Sequence, residues 1–301
     1  MKTAYKILKN GSSCHGGIFT WSLPVLKKDG TYTPGSWTPK RRAEVCTEGW
    51  HLTRVPGDWW SLDDGYEVYV AEYRGETNTL VGLSKSKFAV QQCRLLRPLT
   101  NKELAKHGIF REGVHDIQRG GSGRKVFFAS GTARLTVREG SVTVGGEATV
   151  SIFDTVSCQA YGKSRVHAWD NSVVFAEGNV KVEAWNEATI SASESAKVIA
   201  SDNVQVSLGG FASAKAHGSS FVACVSSSKV VAHDDVTVVA QFGSPQIHVK
   251  DNALCRILNG AGTYTRENKA LILDQRNGKV KLTRSGSGLD GFSYNGRKWT
   301  K

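Results

Sequence analysis

From Glu147 to Phe242 the chain divides without a gap into twelve octads, among them KSRVHAWD, NVKVEAWN and SAKVIASD. A repeat this short limits the fold more than any composition value, because each unit must bury its apolar side against its own copies. Octad positions 2, 4 and 6 are Ala, Val, Ile, Leu, Cys or Ser at all thirty-six places, with no charge at any. Alternation of period two marks a strand with one buried side. Positions 8 and 1 carry residues such as Asp170-Asn171, Gly178-Asn179 and Asp202-Asn203, which favour tight corners. Each octad therefore reads as a short strand plus a corner, and the array as a β-solenoid.

A longer period sets the coil. Position 8 alternates between Asp or Asn (Asp154, Asp170, Asn186, Asp202, Asp234) and Gly (Gly162, Gly178, Gly210). Position 7 puts Phe153, Trp169 and Trp185 sixteen residues apart, and later His217 and His233. Two octads per coil stack all these groups, so the expected fold is a thin, two-faced solenoid of 16-residue coils. Its six central coils span about 29 Å at the usual strand spacing. Weaker copies near Leu135–Val144 and Ile247–Ile257 extend it, giving a solenoid over 131–258. The mixed outward residues exclude ranked threonines of the ice-binding kind. The aspartate column reads as corner residues rather than as a catalytic or Ca²⁺-binding set. The aromatic column reads first as stacking that stabilises the coils, with a sugar or base as the functional alternative. Cys158 and Cys224 fall on inward positions, as small core residues.

Charge separates the array from its flanks. The 301 residues hold 39 Lys plus Arg and 27 Asp plus Glu, a net charge of +12. Residues 1–120 contribute +6, 121–255 contribute −1, and 256–301 contribute +7. A neutral rod with basic ends predicts phosphate or another acidic partner at the ends. No apolar run reaches the length of a membrane span, and no basic-then-apolar leader opens the sequence. The expectation is a cytoplasmic protein without membrane contact, whose six cysteines stay reduced.

Residues 1–118 form the expected basic α+β domain, with strands at Thr3–Leu8, Tyr66–Tyr73 and Lys87–Leu96. A short helix follows Pro98, with Thr100 as N-cap and Glu103 as its capping-box partner. The Gly-rich stretch around Arg119–Lys125 predicts a linker over 119–130. Residues 259–301 read as a basic β-hairpin cap, with turns at Asn277-Gly278 and Asn295-Gly296. The candidate anion-binding residues are Trp37, Lys40, Arg41 and Arg42, then Arg124 and Lys125, then Lys279, Lys281, Arg297 and Lys298. Cations interleaved with aromatics suit phosphate contact with base stacking. Cys14, His15, Cys46 and His51 are the residue types of a tetrahedral zinc site, but their spacing matches no standard knuckle. No metal site is therefore assigned.

The order Tyr5-Lys6, Cys14 with Gly17, Cys46-x-x-Gly49-Trp50-His51 and the strand YEVYVAEY resembles a small amino-terminal domain of phage and prophage proteins of unknown function. There too it precedes a repetitive solenoid. The resemblance implies a mobile-element origin and a host bacterial cytoplasm. Two functions follow as expectations. One is an interaction protein with a self-associating solenoid that presents basic ends to nucleic acid or to an acidic host protein, with no cofactor. The other rests on a looser similarity of Tyr5-Lys6, Gly49–Thr53 and Glu72 to ADP-ribosyltransferase cores. It implies NAD as cofactor and Lys6, His51 and Glu72 as candidate catalytic residues.

Overall fold

The computed structural model describes the chain except for residues 1, 14–18, 46, 63–64, 80–85, 121–124, 277–279, 285–291, 295–298 and 301; at 284, 292–294 and 299–300 it describes the backbone alone. Two compact units result, Met1–Phe110 and Arg111–Lys301. The first ends eight residues before the boundary expected at 118.

The first unit contains β1 (Lys2–Lys9), β2 (Ser12–Ser13), β3 (Val25–Leu26), β4 (Tyr32–Thr33), β5 (Trp50–Thr53), β6 (Tyr66–Asn78) and β7 (Lys87–Pro98). The order β1-β5-β7-β6 closes on itself, because β6 also pairs with β1 from Lys2↔Tyr73 to Lys9↔Tyr66. Closure removes the exposed edges of a small sheet. Where β5 ends, the 35–41 segment continues along β7: the amides of Gly35, Thr38 and Arg41 donate to the carbonyls of Leu95, Cys93 and Gln91 at 2.9–3.1 Å. Ala4, Leu8, Trp21, Trp50, Leu52, Phe88 and Leu95 fill the inside. Helix α1 (Asn101–Lys106) carries the expected capping box between Thr100 and Glu103. Both Arg97 guanidinium nitrogens donate to the Glu103 carboxylate at 2.6 and 2.7 Å. These bonds, chief among the causes, pull its pKa down to about 2. The expected α+β domain is thus a nearly all-β closed sheet with one short helix.

The second unit is the solenoid, and its strands lie in two parallel sheets. Face one runs through Ser157–Ala160, Val173–Ala176, Thr189–Ala192, Gln205–Leu208 and Phe221–Ser226. Face two runs through Arg165–Ala168, Lys181–Ala184, Lys197–Ala200, Ser213–Ala216 and Lys229–Ala232. In the octad array each strand pairs with the one sixteen residues on, as in Ser157↔Val173 and Arg165↔Lys181. All thirty-six inward octad positions are at most 3% exposed. Small side chains meet across a thin core because Val and Ala are what two sheets this close accommodate.

Corners repeat as faithfully as strands. Asp154, Asp170, Asn186 and Asp202 adopt positive φ of 58–65°, and Gly162 and Gly178 take the opposite corner at 68° and 90°. Left-handed backbone favours Asn, Asp and Gly, which is why they hold these places. A Cβ on Gly178 would stand 3.3 Å from the Gly162 nitrogen in the coil before it. The aspartates have a second task. The Asp154, Asn186 and Gly218 amides donate to the carboxylates of Asp170, Asp202 and Asp234 at 3.0–3.2 Å, one coil onward. The column is built into the backbone, as the sequence reading expected.

The solenoid exceeds its expected limits of 131–258. Val114–Ile117 pairs in parallel with Arg134–Val137, and Val126–Ala129 with Ser141–Val144. Within the expected 119–130 linker, Val126–Ala129 is therefore a solenoid strand, and 121–124 lie outside the described residues. The step from Val114 to Arg134 is twenty residues, which hides the octad period. At the other end the step grows to seventeen residues, as in Thr237↔Leu254 and Leu254↔Leu271. Thr263–Arg266 and Leu271–Asp274 still pair in parallel, so the antiparallel cap begins at Val280–Arg284 rather than at 259. Leu271–Asp274 pairs antiparallel with Val280–Arg284, and Phe292–Tyr294 with Trp299–Thr300, while the expected turns at Asn277-Gly278 and Asn295-Gly296 lie outside the described residues. No helix among the described residues is long and apolar enough to cross a membrane.

Candidate anion-binding face

The parallel register sorts the charges of the array by face. In the octads from Glu147 to Phe242, strand positions 3 to 6 on face one carry no charged residue. The same positions on face two carry Arg165, Lys181, Lys197, Lys215 and Lys229 against Glu183 alone. The other acids of the array sit at corners. Arg165, Lys181 and Lys197 are direct cross-strand neighbours, and the column begins with Arg134, which pairs with Thr149. Together with Lys163 they line an open groove of about 630 Å³, in which Glu147 is the only acid among the described lining residues. All five cations are exposed, and none makes an ion pair with any described residue.

Like charges opposite one another across strands oppose folding by roughly 0.2–1 kcal/mol per pair. The solenoid tolerates two such pairs in succession without placing a carboxylate between them. From Arg165 to Lys197 the row provides one cation per strand spacing of about 4.8 Å, with Thr149 between Arg165 and Arg134.

The sequence-predicted residues are distributed differently. Arg74 and Arg94 already lie over Trp37, at 4.0 and 4.9 Å from the ring. Arg41 lies over Trp50 at 4.4 Å, Arg42 pairs with Glu44 at 2.9 Å, and Lys40 is exposed. The basic knot thus leaves Lys40 as its open cation. Lys125 is exposed beside the strand Val126–Ala129, its carbonyl accepting the Ser141 amide at 2.7 Å. Lys281 faces Asp274 across the cap hairpin, and the Asp274 carboxyl is held low chiefly by Arg276. Arg124, Lys279, Arg297 and Lys298 lie outside the described residues.

Lys6, His51 and Glu72 do not form one site. The Lys6 ammonium donates to the His51 carbonyl at 3.2 Å and lies 4.8 Å from the Trp21 ring. Lys6 and His51 border a cavity of about 40 Å³ with Thr53, Trp59 and Lys87, and Glu72 is not part of its lining. That volume suits water, whereas ligand pockets begin near 300 Å³. Glu72 is paired with Arg94 at 2.7 Å. Cys14, His15 and Cys46 of the zinc candidate are outside the described residues, and among those described no group of three metal-ligating side chains occurs. Cys93, Cys158, Cys224 and Cys255 are buried free thiols. Burial pushes Cys93 and Cys255 up to about 12 and Cys224 to about 11, and raises Cys158 as well. Such thiols are poor nucleophiles and metal ligands.

The face-two groove escaped the sequence reading because charge was summed along the chain. The signal was present: sorted by odd and even octads, all strand cations of the array fall in one set. No family model matches this chain, and no curated protein or solved structure was found to match it.

Proposed function

We propose that the protein is a non-enzymatic scaffold whose solenoid holds a repeating polyanion, nucleic acid foremost, along face two. The observation that carries this reading is the unpaired column Arg134, Arg165, Lys181 and Lys197 with Lys163 beside it, lining one groove. A polymer with evenly spaced charges matches such a column. An acidic host protein fits it less well, because its carboxylates do not recur at strand spacing. The basic flanks add long-range attraction to the same partner. A mobile-element setting, implied by the resemblance of the amino-terminal motif, belongs to this proposal. So does self-association, for which a molecule of net charge +12 has the uncharged face one as its least repulsive contact.

The test is binding of labelled single- and double-stranded nucleic acid over a salt series. Counterion release predicts a linear fall of log affinity with log salt. Replacing Arg165, Lys181 and Lys197 by Glu removes the binding, while the thermal midpoint stays near that of the parent. Salt-insensitive binding, or undiminished binding by the triple variant, rules the reading out. Sedimentation of the free protein measures the self-association.

A further inference from the structure

We propose that face two has a slot for one planar ring, a nucleobase, between Trp185 and His217 at the corner where Ser201 leaves a rung empty. The corner column runs Arg138, Phe153, Trp169, Trp185, Ser201, His217, His233, one residue per coil. Backbone hydrogen bonds keep it in step: the amides of Trp185, Ser201, His217 and His233 donate to Ala168, Ala184, Ala200 and Ala216 at 2.9–3.0 Å. Its rings stack at 4.7 Å (Phe153–Trp169), 4.8 Å (Trp169–Trp185) and 4.8 Å (His217–His233), with interplanar angles of 4°, 13° and 10°. The foot of the column is closed by the Arg138 guanidinium, 4.2 Å from Phe153.

Ser201 interrupts this stack. Trp185 and His217 are separated by two strand spacings, about 9.6 Å, with only a hydroxymethyl group between them. A flat ring at the midpoint would lie about 4.8 Å from each wall, within the range of offset-stacked aromatic pairs. Trp185 carries Trp169 and, at 6.3 Å, His167 of the coil before it, and no ring or cation of a later coil stacks on it among the described residues. His217 is backed by His233, and its Nδ1 lies 3.8 Å from an Asp234 carboxylate oxygen. Both walls are therefore held from behind, so the slot exists before a ligand enters.

The neighbouring side chains point to the ligand class. Ile199, 43% exposed, precedes Ser201 by two residues, and its cross-strand partner is the exposed Lys215. Lys215 makes no ion pair with a described residue and stands two residues, roughly 6.6 Å, from His217 on the same strand. A ring in the slot with an anionic group at Lys215 describes a nucleotide unit. A base held in a duplex cannot enter, so the slot selects unpaired strands. Stacking of this kind changes affinity by about 5- to 150-fold per base.

This inference rests on the polyanion reading, and the experiment separates the two. Full-length protein is titrated with a short oligothymidylate and with an abasic oligomer of equal length and charge. The expected result is at least about fivefold tighter binding of the oligothymidylate, with quenching of tryptophan fluorescence. Ser201→Phe, which supplies the missing rung, should erase that preference, retain the abasic affinity and leave the thermal midpoint unchanged or higher. His217→Ala removes one wall from the other side and should also reduce the preference. Equal binding of both oligomers by the parent, or an intact preference in Ser201→Phe, overturns the slot while leaving the polyanion groove standing. Binding of neither oligomer overturns the groove and the slot together. Quenching reversed by a neutral oligosaccharide assigns the slot to a sugar and overturns the nucleobase.

Discussion

The two faces of the solenoid have one core and two different exteriors. Val174 on face one and Val182 on face two are equally buried, at 0% and 1% exposure. Outside, Val173, Phe175 and Thr189 continue an uncharged surface, whereas Arg165, Lys181 and Lys197 stack cation upon cation. The inward rows obey packing, which treats both faces alike. The outward rows are free of that constraint, so packing does not set their asymmetry.

The largest effect tests the shared core. Val174→Asp and Val182→Asp should each destabilise the second unit by several kcal/mol, since a carboxylate is buried without a partner. Thermal unfolding followed by circular dichroism should find the two variants alike; tolerance of only one would break the equivalence of the faces. Next comes the exterior. Converting Arg165, Lys181 and Lys197 to Glu should weaken nucleic-acid binding by about 100-fold or more near physiological salt, and flatten the salt slope by roughly 2. Six glutamates placed on face one instead, at Ser157, Gln159, Val173, Thr189, Ser191 and Gln205, change net charge by the same six units. They should cost far less affinity, and equal losses would mean that overall charge, not the column, drives binding.

The corners that join the faces come third. Gly178→Ala forces a side chain into left-handed backbone against the preceding coil and should cost about 1–2 kcal/mol. Asp170→Gly keeps the backbone comfortable and loses only the carboxylate's contacts, so a smaller drop in thermal midpoint is expected. The smallest effect has the opposite sign. Lys181→Glu inserts an acid between Arg165 and Lys197, turning two repulsive neighbours into attractive ones. Stability should rise by about 0.5 kcal/mol while nucleic-acid affinity falls, a combination that a purely structural role for Lys181 does not produce.

Much of the architecture was legible in the residues. Period-two alternation located the strands, the sixteen-residue recurrence of Phe153, Trp169 and Trp185 set the coil, and Thr100 with Glu103 marked the only α-helix among the described residues. The limits of the solenoid were not legible, because corners of unequal length break the octad count without breaking the pairing. Likewise Trp37 looked available for stacking until Arg74 and Arg94, distant in sequence, lay over it.

By itself the sequence determined what each residue does to its immediate neighbours: small apolar groups turn inward at every second position, and Asp, Asn or Gly takes the left-handed corner. Local conformation and burial depend on such near relations, so they can be read along the chain. The tertiary structure alone decided which charges share a surface. Coulomb forces depend on distance in space, and the parallel register brings residues sixteen positions apart to one strand spacing. That register gathers the cations of a nominally neutral segment into one column, and leaves a single rung open at Ser201.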